Sequence, residues 1–335
     1  MLRAILPPLL FLPLILSSCS SEGSAGGPRV AFITNGAADF WTIAQAGAIA
    51  GGEEFGVSVD VLMPVGGISE QKRMVDDCIT KQLDGIAISP INPDDQVQLI
   101  NQACSKTRVL THDSDAPGTD RLCYIGMDNY VAGRMCGELV RKALPNGGKL
   151  AIFIGRLEQD NARRRRQGVI DAVLGRDSDP TRFDEPGQVL EAGGYQIVGT
   201  YTDQFDFPQA KANVEDALTL HADLAACVGL FGYNPPLILE ALKVQGRTGE
   251  VKVIAFDEDE TTLRGIREGT VVGTVVQDPF RYGKESVRIL AGLISGEDLG
   301  SLGVDADAFF DIPARTIGPD EVEAFSAELA RNLGR

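Results

Sequence analysis

A polar cluster, Thr111 to Asp115, follows the short apolar run Val109-Leu110. An apolar run that ends in turn residues is typical of a buried parallel strand. Ligands of open α/β sheets bind just beyond the carboxyl ends of the strands, so we expect Asp113 to lie at a ligand site. Its carboxylate is a candidate ligand group with two acceptor oxygens. His112 is better explained as a strand-end residue than as a catalyst, because no nucleophile motif accompanies it.

Motifs that would indicate an enzyme are missing from the sequence. It contains no nucleophile elbow, no phosphate-binding glycine loop and no paired spacing of a metal site. We therefore predict no catalytic residues, no cofactor and no metal. The balance of 31 Lys and Arg against 47 Asp and Glu gives a net charge of −16. This argues against a nucleic-acid partner, because phosphate contacts need clustered cations, whereas a neutral or cationic ligand is compatible with it.

The elements that must position these residues alternate between short β-branched segments and longer amphipathic ones. The predicted strands are RVAFIT, VSVDVL, GIAIS, RVLTH and CYIG, followed by KLAIFI, YQIVGTY, ACVGLF, VKVIAF and VVGTVV. Strands that alternate with helices of about 10 to 15 residues indicate βαβ units and a parallel sheet. Two successive five-strand units predict an α/β protein with two pseudo-symmetric lobes. Residues 176–194, which are rich in Pro, Gly and Asp, are predicted to form a surface loop.

The N-terminal residues MLRAILPPLLFLPLILSSC predict an export signal. A single cation, Arg3, precedes an apolar stretch that is too short to span a bilayer core of about 30 Å. Leu16-Ser17-Ser18-Cys19 resembles the bacterial lipobox, in which the chain is cut before the cysteine and the thiol is lipidated. We thus predict a lipoprotein signal peptide at 1–18, a lipidated Cys19 and a flexible tether at 19–27. An ordinary signal peptide that happens to contain a cysteine is the alternative.

The remaining cysteines could form disulfides in an exported protein. They are Cys78, Cys104, Cys123, Cys136 and Cys227. Because their number is odd, at least one thiol stays free. The pairing is open, and a Cys104–Cys123 bridge is the preferred expectation, since these two residues lie near a helix end and a strand start on the side of the lobe away from the site.

Aromatic and polar residues at the strand ends occur in an order that resembles a known family. They are Phe40-Trp41, Asp113, Asn161 and Arg163 in GRLEQDNARRRRQG, Phe205 in TDQFDFPQAK, Asn234 in GLFGYNPP, Asp257 in VIAFDEDE and Gln277 in GTVVQDPF. From about Arg29 to Ile317 the chain resembles the periplasmic sugar-binding proteins of the ribose and galactose type, the substrate-binding components of ABC importers. Lac-repressor-like regulators share this fold in their ligand domain. The resemblance implies two Rossmann-like lobes with parallel sheets, joined by a three-crossing hinge.

The aromatic and acidic residues of this set have implied roles in holding a sugar. Phe40 or Trp41 would pack a flat ring against the C–H face of the sugar. Phe205 would close over the ligand. Asp113 and Asp257 would each accept hydrogen bonds from two vicinal hydroxyls.

The amide and guanidinium groups have implied roles in orienting the ligand. Arg163 would donate to a ring oxygen and adjacent hydroxyls, with Asn161 just upstream. Asn234 would donate and accept through its amide, and Gln277 would bind the ligand from the second crossing between the lobes. Ser114 stands where an arginine commonly follows the first aspartate of ribose-type proteins, so the particular sugar stays open.

The resemblance also implies lobe boundaries and a function. The lobes would be residues 28–127 plus 278–311 and residues 128–277 plus 312–335. The protein would be a monomer, anchored through Cys19 in the periplasm or at the cell surface, that delivers a monosaccharide or sugar-like ligand to an ABC transporter permease. A sugar sensor that docks on a receptor kinase or chemoreceptor is the alternative. A hydrolase of a sugar derivative is disfavoured by the missing motifs, and a DNA-binding regulator by the export signal that stands in place of a headpiece.

Overall fold

Two largely parallel β-sheets organise residues 27–333, the part of the chain that the computed structural model describes. Hydrophobic clusters cover both faces of each sheet, so the chain forms two α/β lobes. The predicted fold class is confirmed. The predicted signal peptide, Cys19 and the tether up to residue 26 lie outside the described residues. Within residues 27–333, none of the helices is both long enough and apolar enough to cross a membrane.

Six parallel strands form the sheet of the first lobe. They are β1 (Arg29–Ile33), β2 (Ser58–Leu62), β3 (Gly85–Ile88), β4 (Arg108–His112), β5 (Tyr124–Gly126) and β12 (Phe309–Asp311). The helices of this lobe are α1 (Asp39–Phe55), α2 (Gly67–Thr80), α3 (Val97–Cys104) and α9 (Pro279–Ser295). The strand order is β12-β5-β4-β3-β1-β2.

Seven strands form the sheet of the second lobe. They are β6 (Gly148–Ile154), β7 (Leu190–Ala192), β8 (Tyr195–Thr202), β9 (Leu224–Gly229), β10 (Lys252–Phe256), β11 (Gly273–Val276) and β13 (Arg315–Ile317). The helices are α4 (Asn129–Ala143), α5 (Asp160–Val173), α6 (Phe207–Leu220), α7 (Asn234–Val244), α8 (Glu260–Arg267) and α10 (Val322–Asn332). The strand order is β13-β11-β10-β9-β6-β8-β7, and only the edge strands β13 and β7 pair antiparallel within this sheet of the described chain.

The chain passes between the two sheets at three points within residues 27–333. Residues 127–128 connect β5 to α4, residues 277–278 connect β11 to α9, and residues 312–314 connect β12 to β13. The parallel strands of both sheets end on the side of the molecule where the lobes face each other. Side chains that follow these strands are therefore brought to one cleft.

The segment 176–194, predicted as a surface loop, ends in a strand. β7 pairs with β8, with Leu190 opposite Ile197 and Ala192 opposite Tyr195. The two residues between the strands are glycines with φ values of 57° and 85°. A two-residue hairpin loop requires this left-handed backbone, which glycine adopts most readily. The loop prediction is wrong for this part of the segment, and the Gly-Gly pair is the sequence signal for the hairpin.

All five cysteines between residues 27 and 333 are free thiols. The expected Cys104–Cys123 bridge is therefore wrong. Cys123 packs with the core on the face of the first sheet that α1 and α9 cover, whereas Cys104 packs against the core on the opposite face, with α2 and α3. The sheet separates the two thiols. Burial raises the pKa of Cys104 to about 11 and that of Cys123 to about 12, so both stay protonated at neutral pH.

Candidate functional site

A cavity of about 350 Å³ lies between the two lobes, within the usual size range of small-molecule sites. The first lobe contributes Asn35, Ala37, Ala38, Asp39, Phe40, Trp41 and Asp113. The second lobe contributes Gln159, Asn161, Arg165, Phe205, Phe207, Phe231, Gly232, Tyr233, Asp257, Glu258 and Asp259, and the second crossing contributes Gln277. The cavity thus brings together most of the predicted site residues, namely Phe40, Trp41, Asp113, Asn161, Phe205, Asp257 and Gln277.

Asp113 follows β4 and accepts hydrogen bonds from both lobes. Its Oδ2 accepts from Asn35 Nδ2 (3.3 Å) and Ser89 Oγ (3.0 Å) in the first lobe, and from Asn161 Nδ2 (3.3 Å) in the second. The last bond crosses the cleft, so the lobes are closed on each other. Burial raises the pKa of Asp113 to about 6, although the Arg165 charge opposes the shift. Its Oδ1 accepts no hydrogen bond from residues 27–333 and remains available to a ligand.

Asp257 follows β10, which holds the same third place from the edge in its sheet as β4 holds in the first. Its Oδ1 accepts from Gln277 Nε2 at 2.7 Å. Burial raises the pKa of Asp257, while the charge of Arg165 and the hydrogen bond from Gln277 lower it. Asp113 and Asp257 have φ values of 58° and 64°. Residues other than glycine rarely adopt this conformation, and such strain concentrates at functional sites.

The arginine of the cavity is Arg165 and not the predicted Arg163. Its side chain is fully buried. The Nη1 donates to the Leu230 carbonyl at 2.7 Å, and the Nη2 donates to Asn129 Oδ1 at 3.0 Å. The guanidinium lies 3.7 Å from the centroid of the Phe256 ring. These contacts hold a permanent positive charge beside the two aspartates.

Arg163 leaves α5 on nearly the opposite side, because two helical positions differ by about 200°. It forms an ion pair between the lobes with Asp94 of the first lobe, with Nη1 and Oδ2 3.4 Å apart. A sequence signal for the buried arginine exists. Ala162, Arg165 and Val169 share one buried stripe of α5 at helical spacing.

The rotation of α5 is set by its close packing on α4. A Cβ atom at Gly133 of α4 would lie 1.9 Å from the backbone oxygen of Arg165, and one at Gly168 of α5 would lie 2.1 Å from the backbone oxygen of Tyr130. Any side chain at either position would force the helices apart. The two glycines therefore determine where Arg165 sits.

Asn234 does not line the cavity, contrary to the prediction. Its Nδ2 donates to Asp203 Oδ2 at 3.1 Å, and its Oδ1 accepts from the Phe231 backbone N–H at 3.0 Å. The amide is thus used to close the turn that leads into α7. Gly232 and Tyr233 form the wall of the cavity at this place instead.

The aromatic pair at the start of α1 forms one side of the cavity. Phe40 and Trp41 meet edge to face with ring centroids 4.8 Å apart. Behind them, His112 stacks on Phe32 at 4.1 Å, and its Nε2 lies 3.2 Å from the Ile33 carbonyl. Burial lowers the pKa of His112 to about 3, so its imidazole is neutral. The interpretation of His112 as the end of a strand is confirmed.

A second aromatic group stands at the mouth of the cavity in the other lobe. Phe205 stacks on Phe231 with centroids 5.5 Å apart, and Phe207 packs against Tyr233 at 4.8 Å. Phe205 and Phe207 are 38% and 51% exposed, which is unusual for rings of this size. Sequence reasoning identified only Phe205, because the other three follow no periodic pattern that points to a cleft.

Gln159 and Glu258 also escaped the sequence reasoning. Within residues 27–333, neither the buried amide of Gln159 nor the two buried carboxyl oxygens of Glu258 have a hydrogen-bond partner. Burial raises the pKa of Glu258 well above its usual range, and the neighbouring Asp257 adds to the shift. Buried polar groups are normally paired. Both side chains line the cavity, so both are candidates for contact with a ligand.

The site suits recognition of hydroxyl groups and apolar faces. Carboxylates from both lobes provide acceptors, and aromatic rings provide apolar surface. Of the described residues that line the cavity, only Arg165 is cationic. The part of the chain from 27 to 333 contains no group of three or more His, Cys, Asp or Glu residues that could hold a metal ion.

Comparison with known proteins identifies the family. Residues 30–298 match the periplasmic binding protein domain family. The chain belongs to this family. Among its relatives, the ribose import binding protein of Salmonella typhimurium is 24% identical over 263 residues, which cover 77% of this chain and 81% of that protein. The D-xylose-binding periplasmic protein of Haemophilus influenzae is 23% identical over 274 residues, which cover 81% of this chain and 78% of that protein.

A solved structure of this family has the same architecture. The ABC transporter solute-binding protein of Burkholderia graminis, in complex with D-arabinose, is 27% identical and has a TM-score of 0.79. The match covers 89% of this chain and 98% of that chain, and therefore includes both lobes. The family and the fold predicted from the sequence are confirmed. The relatives are binding proteins and not enzymes.

Proposed function

We propose that this protein captures a monosaccharide or a sugar-like ligand between its lobes and delivers it to an ABC importer. The observation that carries the proposal is the pair Asp113 and Asp257, at corresponding strand ends of the two sheets and facing one cavity. Each carboxylate can accept hydrogen bonds from vicinal hydroxyls, and the rings of Phe40 and Trp41 offer a surface for the C–H face of a sugar. Relatives named for ribose and xylose, and the neighbour with D-arabinose, support a sugar.

Ligand binding would be coupled to closure of the cleft. We propose that residues 28–127 plus 278–311 move as one unit and residues 128–277 plus 312–335 as the other, about the three crossings. The bond between Asn161 and Asp113 crosses the cleft in the closed arrangement. A ligand whose hydroxyls reach both lobes binds the closed form more tightly than the open form, and this difference in affinity drives closure.

The proposed location is the periplasm or the cell surface, with Cys19 lipidated at the membrane and residues up to 27 as a tether. The protein would act as a monomer beside its permease. Replacing Cys19 by alanine should release the protein from the membrane fraction and leave its ligand affinity unchanged. Recovery of the wild-type protein free of membrane, with an unmodified Cys19, would contradict the anchor and leave the binding function untouched.

Thermal unfolding with a panel of pentoses, hexoses and polyols tests the binding function. A ligand at 100 times its dissociation constant should stabilise the folded protein by about 2.7 kcal/mol. The chain contains one tryptophan, Trp41, and this residue lines the cavity. Its fluorescence should therefore change with the same saturation curve. If no sugar or polyol of the panel raises the unfolding temperature, the proposed function is wrong.

Stimulation of ATP hydrolysis by the reconstituted permease then distinguishes transport from sensing.

A further inference from the structure

The cavity is lined by more acidic side chains than Asp113 and Asp257. Glu258 and Asp259 follow Asp257 in the loop after β10, and Asp39 begins α1 on the opposite lobe. The Asp259 side chain is used to cap α8, where it accepts from two backbone N–H groups at 2.7 and 3.3 Å. The Glu258 side chain caps no helix. Its two oxygens are buried and have no hydrogen-bond partner in residues 27–333.

Within residues 27–333, no Lys or Arg side chain donates a hydrogen bond to the buried carboxyl oxygens of Glu258. Arg315 of β13 shares a small cavity with it near the hinge, together with Asp278. The charge of Arg315 lowers the pKa of Glu258, but its guanidinium is already engaged by both oxygens of Glu328 on α10, at 2.8 and 3.1 Å. The groups that face Glu258 from its own loop and from the start of α9 are the carboxyls of Asp257 and Asp278, and both raise its pKa.

The positive charge of Arg165 balances carboxyl groups in a different part of the cavity. Two of its nitrogens donate to Leu230 and Asn129 inside the second lobe, and its charge lowers the pKa of both Asp113 and Asp257. One guanidinium beside two carboxyls already leaves that part of the site short of positive charge. Glu258 adds a further acid, and the net charge of −16 favours the approach of cations to the whole protein.

We propose that the ligand is a polyhydroxylated molecule with a basic nitrogen, the class of amino sugars, and that Glu258 receives the nitrogen. This rests on the proposed sugar-binding function and narrows it. An ammonium group supplies three donors and the missing positive charge, whereas a hydroxyl at the same place supplies one donor and no charge. The ammonium would convert Glu258 into an ionised partner, and the displaced proton would leave to solvent. The unpaired amide of Gln159 is then free to bind a neighbouring hydroxyl.

Titration calorimetry with matched ligand pairs tests the inference on the full mature protein at 150 mM salt and pH 6.5, where a primary amine is protonated. The pairs are D-glucose with D-glucosamine, D-galactose with D-galactosamine and D-mannose with D-mannosamine. For at least one pair, the amine should bind about 10 to 150 times more tightly, the range for a hydrogen bond between charged groups. Its apparent enthalpy should depend on the ionisation enthalpy of the buffer, because binding releases a proton.

Glu258→Gln should abolish this preference, since the amide keeps the shape but carries no charge. Glu260→Gln is the matched control, because Glu260 is exposed, lies two residues further on and does not line the cavity. It should keep the preference. If neutral sugars bind as tightly as their amines, or if Glu258→Gln keeps the preference, the inference is wrong and the sugar-binding function stands. If no member of the three pairs binds, the inference is wrong, and thermal unfolding with the panel of pentoses, hexoses and polyols decides the sugar-binding function separately.

Discussion

Replacing Asp257 by asparagine is the sharpest test of the site. In the native protein, Asp257 Oδ1 accepts from Gln277 Nε2 at 2.7 Å. An asparagine at 257 can keep this bond by turning its own oxygen toward Gln277. Its nitrogen then faces the cavity, where a carboxylate oxygen stood. The substitution therefore exchanges an acceptor for a donor on the ligand side and preserves the contact with the hinge.

The magnitude follows from the hydrogen bonds that the ligand loses. A hydrogen bond to a charged group contributes about 1.5–3 kcal/mol, and a sugar hydroxyl left without its acceptor in a closed cavity loses this contribution. The expected loss of affinity is about 10- to 150-fold. Folding should be little affected. Burial raises the pKa of Asp257, so its charge is unfavourable in the folded state, and a neutral amide does not lower the stability at neutral pH.

Calorimetry gives the affinity, and small-angle scattering with and without ligand reports closure. Asp216→Asn serves as the control, because it removes the same charge from an exposed position of α6 outside the cavity. The control should bind and compact as the parent does. Asp257→Asn should show weak binding and no compaction at ligand concentrations that saturate the parent. If it binds and compacts like the parent, the site has been placed wrongly.

Three further predictions follow from the geometry. Lowering the pH from 7.5 to 5 should weaken binding about tenfold, as measured by fluorescence titration. The reason is that Asp113, with a pKa of about 6, must lose its proton to accept hydrogen bonds from hydroxyls as a charged group. Constant affinity over this range would contradict its role as a charged acceptor. Asp94→Asn should speed ligand release by less than about fivefold in stopped-flow measurements, since its ion pair with Arg163 is largely exposed, and 0.5 M salt should remove the difference. Gly133→Ala should lower the free energy of unfolding by about 1–3 kcal/mol and weaken binding, because the new methyl group would collide with the backbone of α5. Gly118→Ala is the control, because its added Cβ meets no atom within 4 Å. It should change neither the unfolding temperature nor the ligand affinity. Equal behaviour of the two variants would contradict the packing argument.

The alternation of strands and helices was readable from the sequence, and so were the residues that stand at strand ends. A side chain directly after a buried parallel strand has few directions available. Asp113 and Asp257 could therefore be assigned to the cleft once their strands were recognised. The aromatic pair Phe40 and Trp41 is placed by the same reasoning, because the first strand leads directly into the helix that they begin.

Residues inside helices and turns were assigned less well. Arg163 and Arg165 are alike in type, and only the packing of α4 against α5 decides which of them enters the cavity. Asn234 matched a position of the family, but its amide donates a hydrogen bond to Asp203 and accepts one from a backbone N–H. Rotation about a helix axis and competition for a hydrogen bond depend on neighbours that are remote in sequence.

The sequence by itself determined the fold class, the family and the strand-end carboxylates, because these follow from local periodicity and from the order of residues along the chain. Only the tertiary structure decided which arginine lines the cavity, that the thiols of Cys104 and Cys123 lie on opposite faces of one sheet, and that the carboxyl oxygens of Glu258 are buried without a hydrogen-bond partner in residues 27–333. The physical reason is that burial and pairing are properties of the assembled surroundings. A buried carboxyl oxygen is available to a ligand only where no donor of the protein already occupies it.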